Sequence, residues 1–116
     1  MQIKNIKKEI ENIKRKLQTI DEMRPGSLSK QYNVCGKPEC RCKDPKAPQK
    51  HGPYFQLSYA HKGKSTTQFI RPSFVKKIEK QIANYKAFKQ LTQEWISLAL
   101  EQSKLELEAA KRDALT

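Results

Sequence analysis

The sequence predicts a mainly α protein with one small β-hairpin. An N-terminal helix and a long C-terminal helix, in coiled-coil-like packing, flank an irregular loop and two strands. Three observations predict this. Ile3, Ile6, Ile10, Ile13, Leu17 and Ile20 recur at steps of 3, 4, 3, 4 and 3, the heptad spacing of a helix with one narrow apolar seam. Residues 25–53 hold five of the six prolines and three of the four glycines, a density that no helix or long strand survives. After Pro72 neither residue type recurs, and Ile78, Ile82, Tyr85, Phe88, Leu91, Trp95, Leu98, Gln102, Leu105 and Ala109 follow at helical steps. The chain therefore reads as 1–24, 25–71 and 72–116 within one domain.

The first helix is expected over residues 2–23, ended by Pro25-Gly26. Residues 54–70 read as the hairpin. Phe55, Leu57 and Tyr59 alternate onto one face, with Thr67 and Phe69 matching them on the return strand, and His61-Lys62-Gly63-Lys64 turns between them. Tyr54, Gln56, Ser58, Thr66 and Gln68 take the other face. Ser73 is the expected N-cap of the second helix, which can run from 73 to 112. At about 1.5 Å per residue that is near 60 Å. A helix so long needs cover from the first helix, from a second copy in a homodimer, or from a helix-mediated protein partner.

The chain has 116 residues with 24 Lys/Arg and 12 Asp/Glu, a net charge of +12. The surplus is concentrated. Residues 24–90 carry fifteen Lys/Arg and three Asp/Glu, a net of +12, while residues 1–23 and 91–116 carry +2 and −2. A concentrated basic block argues for a polyanionic partner, nucleic acid above all. The charged N-terminus lacks the apolar stretch of a signal peptide, and no run approaches the roughly 18 apolar residues of a membrane span. The expectation is a cytoplasmic protein without a membrane partner. No phosphate-binding Gly-rich loop, His-Glu-x-x-His or nucleophile elbow occurs, so no enzymatic activity is expected.

The stretch NVCGKPECRCKDPKAPQKHGPYF holds all three cysteines and one of the two histidines. Cys35, Cys40, Cys42 and His51 form C-x4-C-x-C-x8-H. An odd cysteine count in a reducing compartment disfavours a structural disulfide, and no C-x-x-C redox pair occurs. Zinc favours four Cys and His ligands in a tetrahedron, and a loop without its own core gains folding energy from it. His61, Asp44 or a water is the alternative to His51 as fourth ligand. A closed shell would be structural; an open fourth position would make Glu39 the nearest candidate base. Gly36 is expected to relieve a tight turn. Cys40 and Cys42 are expected to share a direction on a short extended segment. Arg41 and the neighbouring lysines are expected to lower the thiol pKa values.

These blocks, with Gly63, Lys64, Asn84 and Tyr85, resemble a family of short, basic bacterial proteins. Its members share Cys-Gly-Lys-Pro-x-Cys-x-Cys, then His-Gly-Pro-Tyr, a Gly-Lys hairpin and a long helix with an Asn-Tyr pair. The resemblance covers about residues 26–100 and implies an association with mobile genetic elements, but no activity.

The residues themselves imply a zinc-stabilised nucleic-acid-binding accessory protein. Lys37, Arg41, Lys43, Lys46 and Lys50 on the loop, Lys62 and Lys64 on the hairpin tip, and Arg71, Lys76, Lys77 and Lys80 at the second helix would contact phosphates. Tyr54 and Gln56 would meet bases, although Tyr54 can equally pack on the loop. The alternative is a coiled-coil interaction module or adaptor whose basic patch meets an acidic protein.

Overall fold

The computed structural model describes residues 2–115. Its elements are helix α1 (Ile3–Gln18), strand β1 (Ser27–Asn33), strands β2 (His51–His61) and β3 (Lys64–Ile70), and helix α2 (Val75–Leu115). The three strands form one antiparallel sheet in the order β1-β2-β3. The chain falls into two compact units, residues 1–23 with 83–116, and residues 24–82.

In the first unit α1 buries Ile6, Ile10 and Ile13, the centre of the seam seen in the sequence. On α2, Leu91, Trp95, Leu98, Gln102, Leu105 and Ala109 are half-buried at steps of 4, 3, 4, 3 and 4. The Lys14 ammonium lies 5.2 Å from the centre of the Trp95 ring. The Asn84 side-chain amide donates to the Glu22 carbonyl at 2.8 Å. Rising numbers in α1 thus meet falling numbers in α2, so the two helices run antiparallel.

Helix α1 stops at Gln18, short of the expected residue 23. Thr19 closes it, its hydroxyl donating to the Lys16 carbonyl at 2.7 Å. The Ile20 N–H then bonds the Leu17 carbonyl at 3.2 Å in a tighter turn. A β-branched Thr-Ile pair with a self-capping hydroxyl ends the helix before Pro25 is reached.

In the second unit one face of the sheet packs on residues 75–82. Leu57, fully buried, Ile78 and Ile82 form the centre, with Leu28, Tyr59 and Ile70 against them. Burial of a side chain such as Leu57 stabilises by about 1.5–3 kcal/mol, so this core is small. Arg24 ties the entering chain to it. Its N–H donates to the Gln81 carbonyl at 3.0 Å and its Nε to Gln81 Oε1 at 2.8 Å.

The sheet departs from the sequence expectation in three ways. First, it has three strands, because β1 lies inside the segment whose proline and glycine density reads as loop. Pro25 and Gly26 precede β1 and no further proline occurs before Pro38, so Ser27–Asn33 is free to pair with β2. Pro53 is tolerated inside β2 because it sits at an irregularity opposite Gln31–Asn33 and beyond the reach of β3, whose pairing starts at Phe55. The Gly52–Pro53 peptide is cis.

Second, the hairpin register is shifted. Lys62 and Gly63 both have positive φ, 51° and 76°, which makes a two-residue turn of the type that matches strand twist. His61 then pairs with Lys64, and Phe69 falls opposite Gln56 while Gln68 falls opposite Leu57. Phe69 and Thr67 therefore belong to the outer face, and Thr66 and Gln68 to the inner. A one-residue change in turn length exchanges every side chain between faces.

Third, Ser73 is not an N-cap. It lies inside a 3-10 turn, Pro72–Phe74, that begins with the Phe74 N–H bonded to the Arg71 carbonyl at 2.9 Å. Helix α2 starts after it and runs to Leu115.

Candidate metal centre

Residues 34–50 connect β1 to β2 without regular structure beyond one short turn. Antiparallel neighbours need only a tight turn, so this connection is long for its topology and calls for something that closes it. Two ends of the candidate site come from the strands. Cys35 follows β1 by two residues, and His51 is the first residue of β2. Cys40 and Cys42 come from the loop between them.

The four side chains converge. Their ligand atoms all lie within 4.8 Å of one another. Cys35 Sγ and Cys42 Sγ are 3.6 Å apart, and Cys40 Sγ is 3.1 Å from His51 Nε2. Tetrahedral zinc with Zn–S bonds of about 2.3 Å sets sulfurs about 3.8 Å apart and a sulfur and a nitrogen about 3.5 Å apart. The observed pairs are already near those edges. The arrangement is a possible Cys3His metal site, and its donors fit a soft or borderline ion such as zinc.

Local backbone holds the donors. The Cys40 N–H bonds the Lys37 carbonyl at 3.3 Å, and Gln49 N–H returns to the Arg41 carbonyl at 2.9 Å, closing the loop on itself. The Cys35 N–H donates to Cys42 Sγ at 3.3 Å. Cys42 is the buried member, 2% exposed, and sits in a 3-10 turn, Arg41–Lys43. The expected extended Cys40–Cys42 segment is therefore replaced by a turn with Cys40 at its cap. Gly36 relieves nothing: a Cβ there would meet no atom within 4 Å. Gly52 is the glycine the site requires. Its φ is +132°, and a Cβ would lie 2.7 Å from the Gln31 carbonyl and 3.2 Å from the Tyr32 ring. Only glycine lets β1 come this close beside His51.

The electrostatics differ in cause from the sequence expectation. The Cys40 thiol is lowered to about 6, first by the backbone N–H of Cys42 and then by the Cys35 and Cys42 side chains. The backbone N–H of Lys37 is the first cause lowering Cys35. Burial pushes Cys42 up, and hydrogen bonds to the Cys35 and Cys40 sulfurs raise His51. Backbone donors, neighbouring sulfurs and, for Cys42, burial set these shifts, not Arg41 and the lysines. The lowered value favours the Cys40 thiolate, the form that binds a metal.

The alternative fourth ligands lie elsewhere. Asp44 accepts the Lys46 N–H at 3.0 Å, and His61 ends β2 next to the hairpin turn. Among the described residues the cluster comprises the four named donors.

The profile of a protein family described as a domain of unknown function, DUF6788, matches residues 3–80. The chain belongs to this family. The matched span contains α1, the whole sheet and all four donors, and it ends before the Asn84-Tyr85 pair. No curated protein and no solved structure matches the chain. Among the described residues no helix is long and apolar enough to cross a membrane.

Every residue assigned to phosphate or base contact from the sequence lies in the unit of residues 24–82. That unit holds thirteen Lys/Arg against three Asp/Glu, a net of +10. Lys37, Arg41, Lys43, Lys46 and Lys50 are exposed along the metal loop, with Arg41 and Lys43 on either side of Cys42. Lys62 and Lys64 are exposed at the β2–β3 turn, and Arg71, Lys76, Lys77 and Lys80 after β3. Tyr54 and Gln56 occupy the outer sheet face, Tyr54 42% exposed. The same face holds residues that the sequence does not point to. Ser29 and Gln31 escape notice because β1 has no strand signature, and Phe69 because its face depends on the register.

Proposed function

We propose that the protein binds nucleic acid through a zinc-organised basic unit, without enzymatic activity, as an accessory protein of the kind that serves mobile genetic elements. The observation that carries this reading is the concentration of charge. One compact unit holds +10 of the chain's +12, and the Cys3His cluster lies inside that unit. Zinc supports the reading by fixing a loop that otherwise buries only Cys42. Three thiolates, a neutral imidazole and Zn²⁺ sum to about −1, which the surrounding lysines balance. With four protein donors the shell is closed, which favours a structural metal over a catalytic one.

The reading is tested by affinity for duplex DNA, single-stranded DNA and RNA across a salt series. Phosphate-dominated binding falls linearly in log K against log salt, with a slope near −0.9 per contact on duplex, so several contacts predict a slope of about −4 or steeper. A flat salt response, or no binding to any of the three, would remove the nucleic-acid reading.

A second reading is favoured by one observation on α2. Beside the seam toward α1, Ile96, Leu100 and Leu107 are all exposed and repeat at steps of 4 and 7. This is the pattern of a second coiled-coil seam. It supports a helix-mediated partner or homodimer, whose association would barely respond to salt.

A further inference from the structure

The outer face of the sheet has a composition that the phosphate contacts do not explain. Phe69 is 71% exposed there. It stands directly opposite Gln56, and Tyr54 is its diagonal neighbour on β2. Around these two rings the face is polar. Gln31 is paired with Tyr54 and Ser29 with Gln56 on β1, and Thr67 lies opposite Ser58 on β3. Ser29, Gln31, Ser58 and Thr67 hydrogen-bond along the face at 3.3–3.4 Å. Tyr54 and Phe69 also line, with Pro53 and Pro72, a cleft of about 280 Å³ at the end of the sheet.

Two exposed aromatic rings set among amides and hydroxyls do not resemble an apolar docking surface, which would carry contiguous aliphatic residues. They resemble the surface that unpaired bases require: flat π faces for stacking, with hydrogen-bonding groups beside them to meet base edges. The ends of the face carry the charge for a backbone. Lys50 precedes β2, Lys62 and Lys64 flank Gly63 at the turn, and Arg71 follows β3. Diagonal positions across an antiparallel pair are about 7–8 Å apart, so each ring can take its own base of an extended strand. Bases stacked inside a duplex present no free π face to such a surface.

We propose that this face binds single-stranded nucleic acid, stacking one base on Phe69 and a second on Tyr54, with Gln56 between them meeting a base edge. The proposal rests on the nucleic-acid reading above and commits it to single strands. Phe69 is the principal platform, because it is the more exposed ring and lies on the face away from the core.

The test measures binding of fluorescent oligo(dT), oligo(U) and a short DNA duplex to the wild type, Phe69→Ala and Phe69→Tyr, at one salt concentration. Thermal stability and zinc content are checked on each protein. Phe69→Ala is expected to weaken both single-stranded probes by about 5- to 100-fold, to change duplex binding by less than about twofold, and to leave stability unchanged. Phe69→Tyr restores the loss. Phe69→Trp provides an independent readout, its emission quenched on adding oligo(dT) but not duplex. Single-strand binding that survives Phe69→Ala, or an equal loss for duplex and single strand, overturns the platform while the nucleic-acid reading stands. A wild type that binds none of the probes overturns both.

Discussion

Replacing Cys40 by Ser is expected to abolish stoichiometric metal binding and to unfold residues 34–50, while both helices persist. Wild-type protein prepared without chelator should carry about one zinc per chain, and the variant well under half of that. The asymmetry follows from where the cores lie. The metal loop buries only Cys42, so its order depends on the four donors. The helices rest on Ile6, Ile10 and Ile13 and on Ile78 and Ile82, none of which belongs to the loop. A structural zinc site contributes on the order of 10 kcal/mol to the fold it closes, far more than the loop's backbone hydrogen bonds. Hydrogen exchange should therefore accelerate across 34–50 and at the first residues of β2, with the helical circular dichroism signal nearly unchanged. Full zinc occupancy in the variant would exclude Cys40 as a ligand. Melting of the helices together with the loop would mean that the two units are not independently stabilised.

The second large effect is expected from charge reversal. Arg41→Glu, Lys43→Glu and Lys64→Glu together should weaken nucleic-acid binding by well over tenfold at modest salt. They should also flatten the salt slope by about 3, one unit for each lost phosphate contact. All three side chains are exposed and none is a metal donor, so fold and zinc content should be kept. A control triple, Lys4→Glu, Lys7→Glu and Lys104→Glu, changes net charge by the same amount outside the basic unit and should do far less. Equal losses from both triples would show that attraction is diffuse and that no site exists on the loop and turn.

The parts of this molecule legible in the sequence are those with a strict period or clustered chemistry. The 3-4 spacing of α1 and α2 survives in the structure as buried and half-buried seams, because a helix shows its neighbours every third or fourth residue. The four candidate metal donors are legible because three thiols and an imidazole gather within a short polar, Pro-rich loop, and the structure brings their ligand atoms within 4.8 Å of one another. What the sequence hides turns on single residues. Strand β1, SLSKQYN, has only Leu28 half-buried on its core face and the remaining residues exposed, so no alternation announces it. The face of Phe69 is hidden because Lys62 takes a positive φ, a conformation that favours Asn or Gly. A two-residue turn at Lys62-Gly63 is therefore not obvious, yet that turn alone sets the parity of β3. The lowering of Cys35 and Cys40 comes first from backbone N–H groups and the raising of Cys42 from burial, neither of which a sequence displays, whereas the cations it does display contribute nothing that leads.

In this account zinc organises the surface that binds nucleic acid. The most direct test is the affinity for oligo(dT) of zinc-loaded protein, of the same protein stripped by chelator, and of the stripped protein after zinc is restored. Stripping is predicted to weaken binding by about tenfold or more, because Arg41, Lys43 and their neighbours are released from a fixed loop and several phosphate contacts are lost together. Restoring one equivalent of zinc is predicted to recover the affinity. Equal affinity with and without zinc, in protein shown to lose and regain the metal, would contradict it.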